Sequence, residues 1–244
     1  MLPTAATLLS AWEAGAAEAP LDRAPSLLAR LEAIPRDQSV GQLTVGQCDA
    51  RLFELRRALF GDVMEALATC PGCGAEVEMS LSLAELQPPI VDVDEPEGMV
   101  SLEQSGYALV FRIPRNDDLR SLRTAAGEAA IRELVERCMV EASAGDGRAV
   151  SAFELPDDVL HQIAEVMAAR DPGAQTALNI RCDCGAVWVD ELHIRSVVWS
   201  DLTDWVGRTL TEVHELARIY GWSEAELLSI PAWRRRWYLE AAGC

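Results

Sequence analysis

The sequence predicts an α+β fold in which zinc-ribbon-like β-hairpins are flanked by helices and followed by a helical C-terminal module. Three observations predict it. Two cysteine turns, Cys70-Pro71-Gly72-Cys73-Gly74 and Cys182-Asp183-Cys184-Gly185, each sit between strand-like runs. Helical periodicity dominates between and around those hairpins. Beyond Trp199 the pattern shifts to one long amphipathic stretch and two short ones, and five of the seven tryptophans lie from Trp199 onward. The expected organisation is an N-terminal helical hairpin over 1–35, an α+β body over 44–198 and a C-terminal docking module over 199–244.

The helical hairpin rests on Leu8, Leu9 and Trp12, which share one face before Gly15, and on Leu27, Leu28 and Leu31 between Pro20 and Pro35. Residues 36 to 45 are polar and read as loop. Leu52, Leu55, Leu59 and Phe60 then define a helix from about Gly46, closed by Gly61. Met64 to Thr69 leads into the first cysteine turn, and Val77, Met79, Leu81 and Leu83 alternate with polar residues as the return strand. Residues 87 to 98, rich in proline and acid, read as an exposed linker.

A second hairpin follows, over 100–102 and 107–113, with Tyr107, Leu109, Phe111 and Ile113 on one face. Two helices are expected at 116–124 and 127–142. Another begins near Pro156, with Asp157 and Asp158 at its positive end, and breaks at Asp171-Pro172-Gly173. The strand holding Leu178 and Ile180, the second cysteine turn and the strand through Val187, Trp188 and Val189 come next. The order helix, strand, turn, strand thus occurs twice, as in a weak internal duplication. Leu202, Trp205, Val206, Leu210, Val213, Leu216 and Tyr220 recur at helical spacing up to Gly221. Ser223 and Glu226 form a capping box for a short helix, and Pro231 starts the last one.

In the first cysteine turn Pro71 fixes one backbone angle and Gly74 permits a left-handed conformation, so that both sulfurs and backbone amides can face one ion. Two such knuckles give a closed tetrahedral centre of structural zinc, with Cys70, Cys73, Cys182 and Cys184 as ligands and no position left for water or substrate. The second turn has a one-residue spacer where a knuckle has two. Either it binds zinc weakly, or His193 replaces one sulfur; the plainer alternative is a set of ordinary buried thiols. Cys48 and Cys138 read as packed small hydrophobes and Cys244 as a frayed terminus. An odd count of seven cysteines, four of them in close pairs, fits a reducing compartment.

Half of the 244 residues are hydrophobic, enough for an ordinary core. The net charge is -18 and every basic residue is an arginine, which argues against a nucleic-acid partner. No run approaches the roughly 20 apolar residues of a membrane span and no signal peptide is evident, so a cytoplasmic protein without membrane insertion is expected. His161, His193 and His214 are far apart, and there is no nucleophile elbow, phosphate loop or His-Glu-x-x-His motif. A non-enzyme without a small-molecule substrate is expected. The aromatics and arginines of the C-terminal module, Trp205, Tyr220, Trp222, Trp233, Arg234, Arg235, Trp237 and Tyr238, either cover the core or form a docking surface, since Trp, Tyr and Arg dominate binding hot spots.

The run Glu212-Val213-His214-Glu215-Leu216-Ala217-Arg218-Ile219-Tyr220-Gly221-Trp222-Ser223-Glu224-Ala225-Glu226-Leu227-Leu228, followed by Pro231-Ala232-Trp233-Arg234-Arg235-Arg236-Trp237-Tyr238-Leu239, resembles a pattern of baseplate proteins from contractile phage tails and phage-tail-like injection particles. Leu8 to Glu13, the stretch from Asp49-Ala50-Arg51-Leu52 to Phe60-Gly61 and the two cysteine turns are similar to zinc-knuckle-bearing members of that group. The resemblance implies a structural or assembly role in the T4-type hub and wedge region. It also implies other baseplate, hub or tube proteins as partners, and incorporation into the assembled particle. The departure is the single residue between Cys182 and Cys184, where two are expected. The alternative is a zinc-ribbon adaptor of an unrelated complex such as transcription machinery.

Overall fold

The computed structural model describes residues 2–35, 37–89, 98–122 and 127–243. The first two helices, α1 (Ala5–Ala16) and α2 (Pro20–Arg30), are fixed at their starts by local chemistry. Thr4 caps α1 by accepting from the Thr7 amide at 3.1 Å, and α2 opens on Pro20, which has no amide to leave unpaired. The next helix, α3 (Val45–Phe60), begins on a capping box in which Thr44 and Gln47 bond each other's backbone amides. Gly61, at φ 92°, ends it as expected.

Two antiparallel hairpins follow from the alternating runs. The first pairs β1 (Val63–Thr69) with β2 (Glu76–Ser82), and a single helical turn, α4 (Leu83–Leu86), comes after it. The middle of the chain holds a three-stranded antiparallel sheet in which β3 (Met99–Gln104) pairs with β4 (Tyr107–Arg112) and β4 with β5 (Met139–Ala144). The helix α5 (Asn116–Ser121) follows β4, α6 (Glu128–Cys138) precedes β5, and α7 (Asp157–Arg170) comes later. Leu109, Phe111, Val135, Val159 and Ile163 close one core between this sheet and its helices. The final hairpin pairs β6 (Ala177–Arg181) with β7 (Val187–Glu191).

From β7 the chain runs directly into α8 (Ile194–Tyr220), a helix of 27 residues. Then α9 (Glu224–Ser229) and α10 (Ala232–Ala241) complete the fold. The largest core joins α1, α2 and α3 to α8 through Leu9, Leu28, Phe53, Val198, Leu202 and Leu216. Trp12 stacks on Trp199 with centroids 6.4 Å apart and donates to Thr203 at 3.0 Å.

Three sequence expectations need correction. The helix expected over 127–142 ends at Cys138, and the residues after it form β5, because Met139 to Ala144 completes the open edge of β4. Leu83 belongs to α4 and not to the return strand. The helix expected after Trp199 starts at Ile194, so the division placed between 198 and 199 falls inside one continuous helix. Most of the expected linker over 87–98, the end of the 116–124 helix and Cys244 lie outside the described residues.

The two larger cores are tied by a buried polar junction. Asp171, beyond the end of α7, accepts from the Thr44 hydroxyl at 3.0 Å and the Gly46 amide at 2.8 Å, placing a carboxylate at the positive end of α3. Asn116 donates to the carbonyls of Val40 and Leu43, both at 3.1 Å, and accepts from Arg195 at 2.8 Å. Arg195 also donates to Asp49 at 2.6 Å. Thr44, Asn116 and Asp171 are buried and Asp49 and Arg195 half-buried, so their polar groups need partners, and the junction fixes how the helices start relative to one another.

Candidate metal centre and C-terminal face

The tips of the first and last hairpins meet. Ala68, Leu178 and Ile180, with Val77, Met79 and Trp188 beside them, form a small core between the two hairpins. At its end the sulfurs of Cys70, Cys73, Cys182 and Cys184 lie within 4.8 Å of one another. Cys70 stands 3.7 Å from Cys184, and Cys73 stands 3.7 Å from Cys182. Four sulfurs held about 2.3 Å from a central ion at tetrahedral corners stand about 3.8 Å apart, so the spacing is compatible with structural zinc. A Cβ on Gly72 would lie 3.3 Å from the Ala186 Cβ, so glycine at that position lets the two turns approach.

The shortened second turn is absorbed within the hairpin. In the first turn the Gly74 amide donates to the Cys70 carbonyl, and Cys70 N to Ala75 O, both at 2.9 Å. In the second, Gly185 N donates to Cys182 O at 2.9 Å and Cys182 N to Ala186 O at 3.0 Å, each loop one residue shorter. Gly74 and Gly185 have φ of 75° and 91°, which side chains other than glycine adopt at a cost. The deletion therefore shortens the turn without turning its sulfurs away.

His193 is not needed as a substitute ligand. It is exposed, precedes α8, and faces Glu191 with its Nδ1 3.9 Å from the carboxylate. Cys70 and Cys182 are buried and Cys73 and Cys184 exposed. Burial pushes the Cys70 thiol up, but the amides of Cys73 and Gly72 and the neighbouring thiols outweigh it and bring it to about 7, while bonding among the sulfurs raises Cys73 and pushes Cys182 up to about 12. In the metal-free cluster Cys70 is therefore the sulfur that gives up its proton most readily, and its neighbours hold theirs. Deprotonated sulfur is the form a metal binds.

Among the described residues, no other group of His, Cys, Asp and Glu side chains converges in this way. Burial pushes the Cys48 and Cys138 thiols up to about 12, as befits packed hydrophobes and not nucleophiles. His161 faces Glu165 at 3.3 Å on the exposed side of α7.

The C-terminal candidates separate into inner and outer sets. Arg235 is 2% exposed, donating to Glu212 at 2.9 Å and to the Ile230 carbonyl at 2.7 Å, so it holds α10 onto α8 and does not face solvent. Trp222 stacks on Tyr220 at 4.7 Å, and Tyr238 meets both edge-on. Trp205, Trp222 and Tyr238 pack against the main core, with Tyr220 at its edge. Trp233 and Trp237 are 70% and 58% exposed and one helical turn apart, and Arg234 beside them is exposed too. Arg236, not among the sequence candidates, is also outward, 3.6 Å from Glu212.

The sequence reading also missed Arg56, which is buried. It donates to Gly61 O at 2.7 Å, Val63 O at 2.9 Å and Asp201 at 2.9 Å, joining the base of the first hairpin to α8. The signal available was a charged residue interrupting the apolar face of α3. Among the described residues, no helix is long and apolar enough to cross a membrane.

Residues 31–197 match the model of the family described as T4 bacteriophage base plate protein, and the chain belongs to that family. The match covers the body and both cysteine turns, while the tail pattern of residues 212–239 lies beyond it. No curated protein and no solved structure matches the chain. The family gives no support to an adaptor of transcription machinery.

Proposed function

We propose that the chain is a non-enzymatic structural component or assembly factor of the baseplate of a contractile, phage-tail-like injection particle. Membership of the base plate family carries this reading. One zinc ion on Cys70, Cys73, Cys182 and Cys184 staples two distant parts of the body, and the converging sulfurs support that assignment. The staple makes the body rigid, and the aromatic and arginine residues of the C-terminal face present it to other baseplate, hub or tube proteins. Among the candidate docking residues, the exposed set of Trp233, Arg234 and Trp237 carries the contact, while Trp205, Tyr220, Trp222, Arg235 and Tyr238 support it from beneath. The protein is made in the cytoplasm and enters the particle during assembly.

Deletion of the gene, with complementation by wild type or by Trp233→Ala with Trp237→Ala, tests the reading. Loss of assembled particles on deletion, rescued by wild type and poorly by the double variant, is expected. Normal particles in the deletion strain would overturn it.

A further inference from the structure

The outward face of α10 is cationic and aromatic on a strongly acidic chain. Trp233 and Trp237 form its ridge, with Arg234 on one flank and Arg236 on the other, and Glu240 at the rim. Arg234 has no side-chain partner among the described residues, while Arg236, its side chain 69% exposed, stands 3.6 Å from Glu212 and keeps most of its surface open. Two exposed tryptophans bordered by guanidinium groups call for an apolar surface rimmed by carboxylates.

The same chain carries such a surface. On the outer face of the first hairpin Leu67 is 65% exposed. It has Glu78 directly across the strand pair, Glu65 two residues before it and Glu76 diagonally opposite. Val63 extends the apolar strip, and neither lysine nor arginine stands on this face. Among the described residues, Glu65, Glu76 and Glu78 make no ion pair. Their charges are free to meet an incoming partner.

The two faces cannot satisfy each other within one molecule. The first hairpin is anchored near Asp201 through Arg56, in the first third of α8, whereas α10 packs at Glu212 and Tyr220 near its far end. Asp201 stands about 17 Å from Glu212 and about 28 Å from Tyr220 along α8 at about 1.5 Å of rise per residue, which separates the two surfaces along the molecule.

We propose that the occupant of the α10 face is the first hairpin of a second copy of this chain, in a head-to-tail contact. This rests on reading the C-terminal face as a docking surface and names one partner for it. Because the two patches differ, the contact is heterologous and leaves one free face at each end, so further copies add until the rotation closes a ring. The net charge of -18 repels at long range, but salt at physiological strength screens it beyond about 8 Å and leaves the local pairs to decide the contact.

Charge reversal tests the contact on the full chain by sedimentation velocity over a series reaching high micromolar concentration. Wild type is expected to self-associate. Arg234→Glu with Arg236→Glu, and separately Glu76→Arg with Glu78→Arg, are expected to sediment as monomers with unchanged circular dichroism. An equimolar mixture of the two variants should regain association, since each then offers the charge the other lacks. Wild type that stays monomeric throughout would overturn the proposal, as would hairpin variants that still associate or a mixture that fails to recover. A monomeric wild type that nevertheless binds another particle protein through α10 would overturn the second copy as partner while leaving the baseplate reading intact.

Discussion

Arg234 and Arg235 are neighbours in sequence and opposites in physics. Replacing Arg235 with alanine takes from Glu212, whose side chain is only 17% exposed, its hydrogen-bonded partner, leaving it the exposed Arg236 at 3.6 Å, and removes the donor from the Ile230 carbonyl. A loss of about 3 kcal/mol in urea unfolding is expected for Arg235→Ala, against a change within about 0.5 kcal/mol for Arg234→Ala. Asp49 supplies a pH signature. Burial raises its pKa to about 6, above the 3.8 of an ordinary aspartate, although Arg195 opposes the shift and Asp171 and Glu191 add to it. Between those values the folded state holds the proton more tightly than the unfolded chain. The contribution of Asp49 is therefore complete below about pH 4 and falls away as pH rises through 6. Unfolding free energies of wild type and Asp49→Asn, compared from pH 4 to 7, should show a steeper decline for wild type; parallel curves would contradict the shift.

At the scale of the element, the start of α3 is the tightest joint. A Cβ on Gly46 would stand 2.8 Å from the Ala174 amide nitrogen and collide with the Asp171 carboxylate. Gly46→Ala is expected to cost about 1–3 kcal/mol in denaturant unfolding, whereas alanine at Gly207, with open space around it, should not destabilise. Most elements were readable from the sequence because one strong local signal marked each. Alternation gave the strands of the cysteine hairpins, and Gly61, Gly221 and the Ser223 capping box gave helix ends. The strand over Met139–Ala144 was not readable, since its apolar spacing also suits a helix and only the open edge of β4 decides between them. The start of α8 was readable in principle, because Ile194, Val198, Leu202 and Val206 repeat every four residues. The short return strand before it masked that pattern.

Across the whole molecule, the four cysteines were legible as a set because turn chemistry brings each pair together locally. Their meeting is a tertiary fact, supplied by the small core between the hairpins. The inner and outer roles of Trp222, Arg235 and Trp233 were not legible, because composition reports which residues suit an interface and not which side of a helix faces out. Joining sulfurs more than a hundred residues apart restricts the unfolded chain strongly, and a cross-link over a loop of about 100 residues is worth about 4–5 kcal/mol. Cys70→Ser and Cys184→Ser should each lower stability by several kcal/mol, and a chelator should lower wild type to a similar level while leaving these variants unchanged.

The most direct measurement is the metal content of the purified chain by atomic emission, paired with unfolding curves with and without chelator. One zinc per chain, lost on replacement of Cys70 together with the associated stability, is the predicted result. A folded, metal-free chain whose unfolding curve ignores the chelator, with the cysteines of both turns open to a thiol reagent in the folded state, would contradict it.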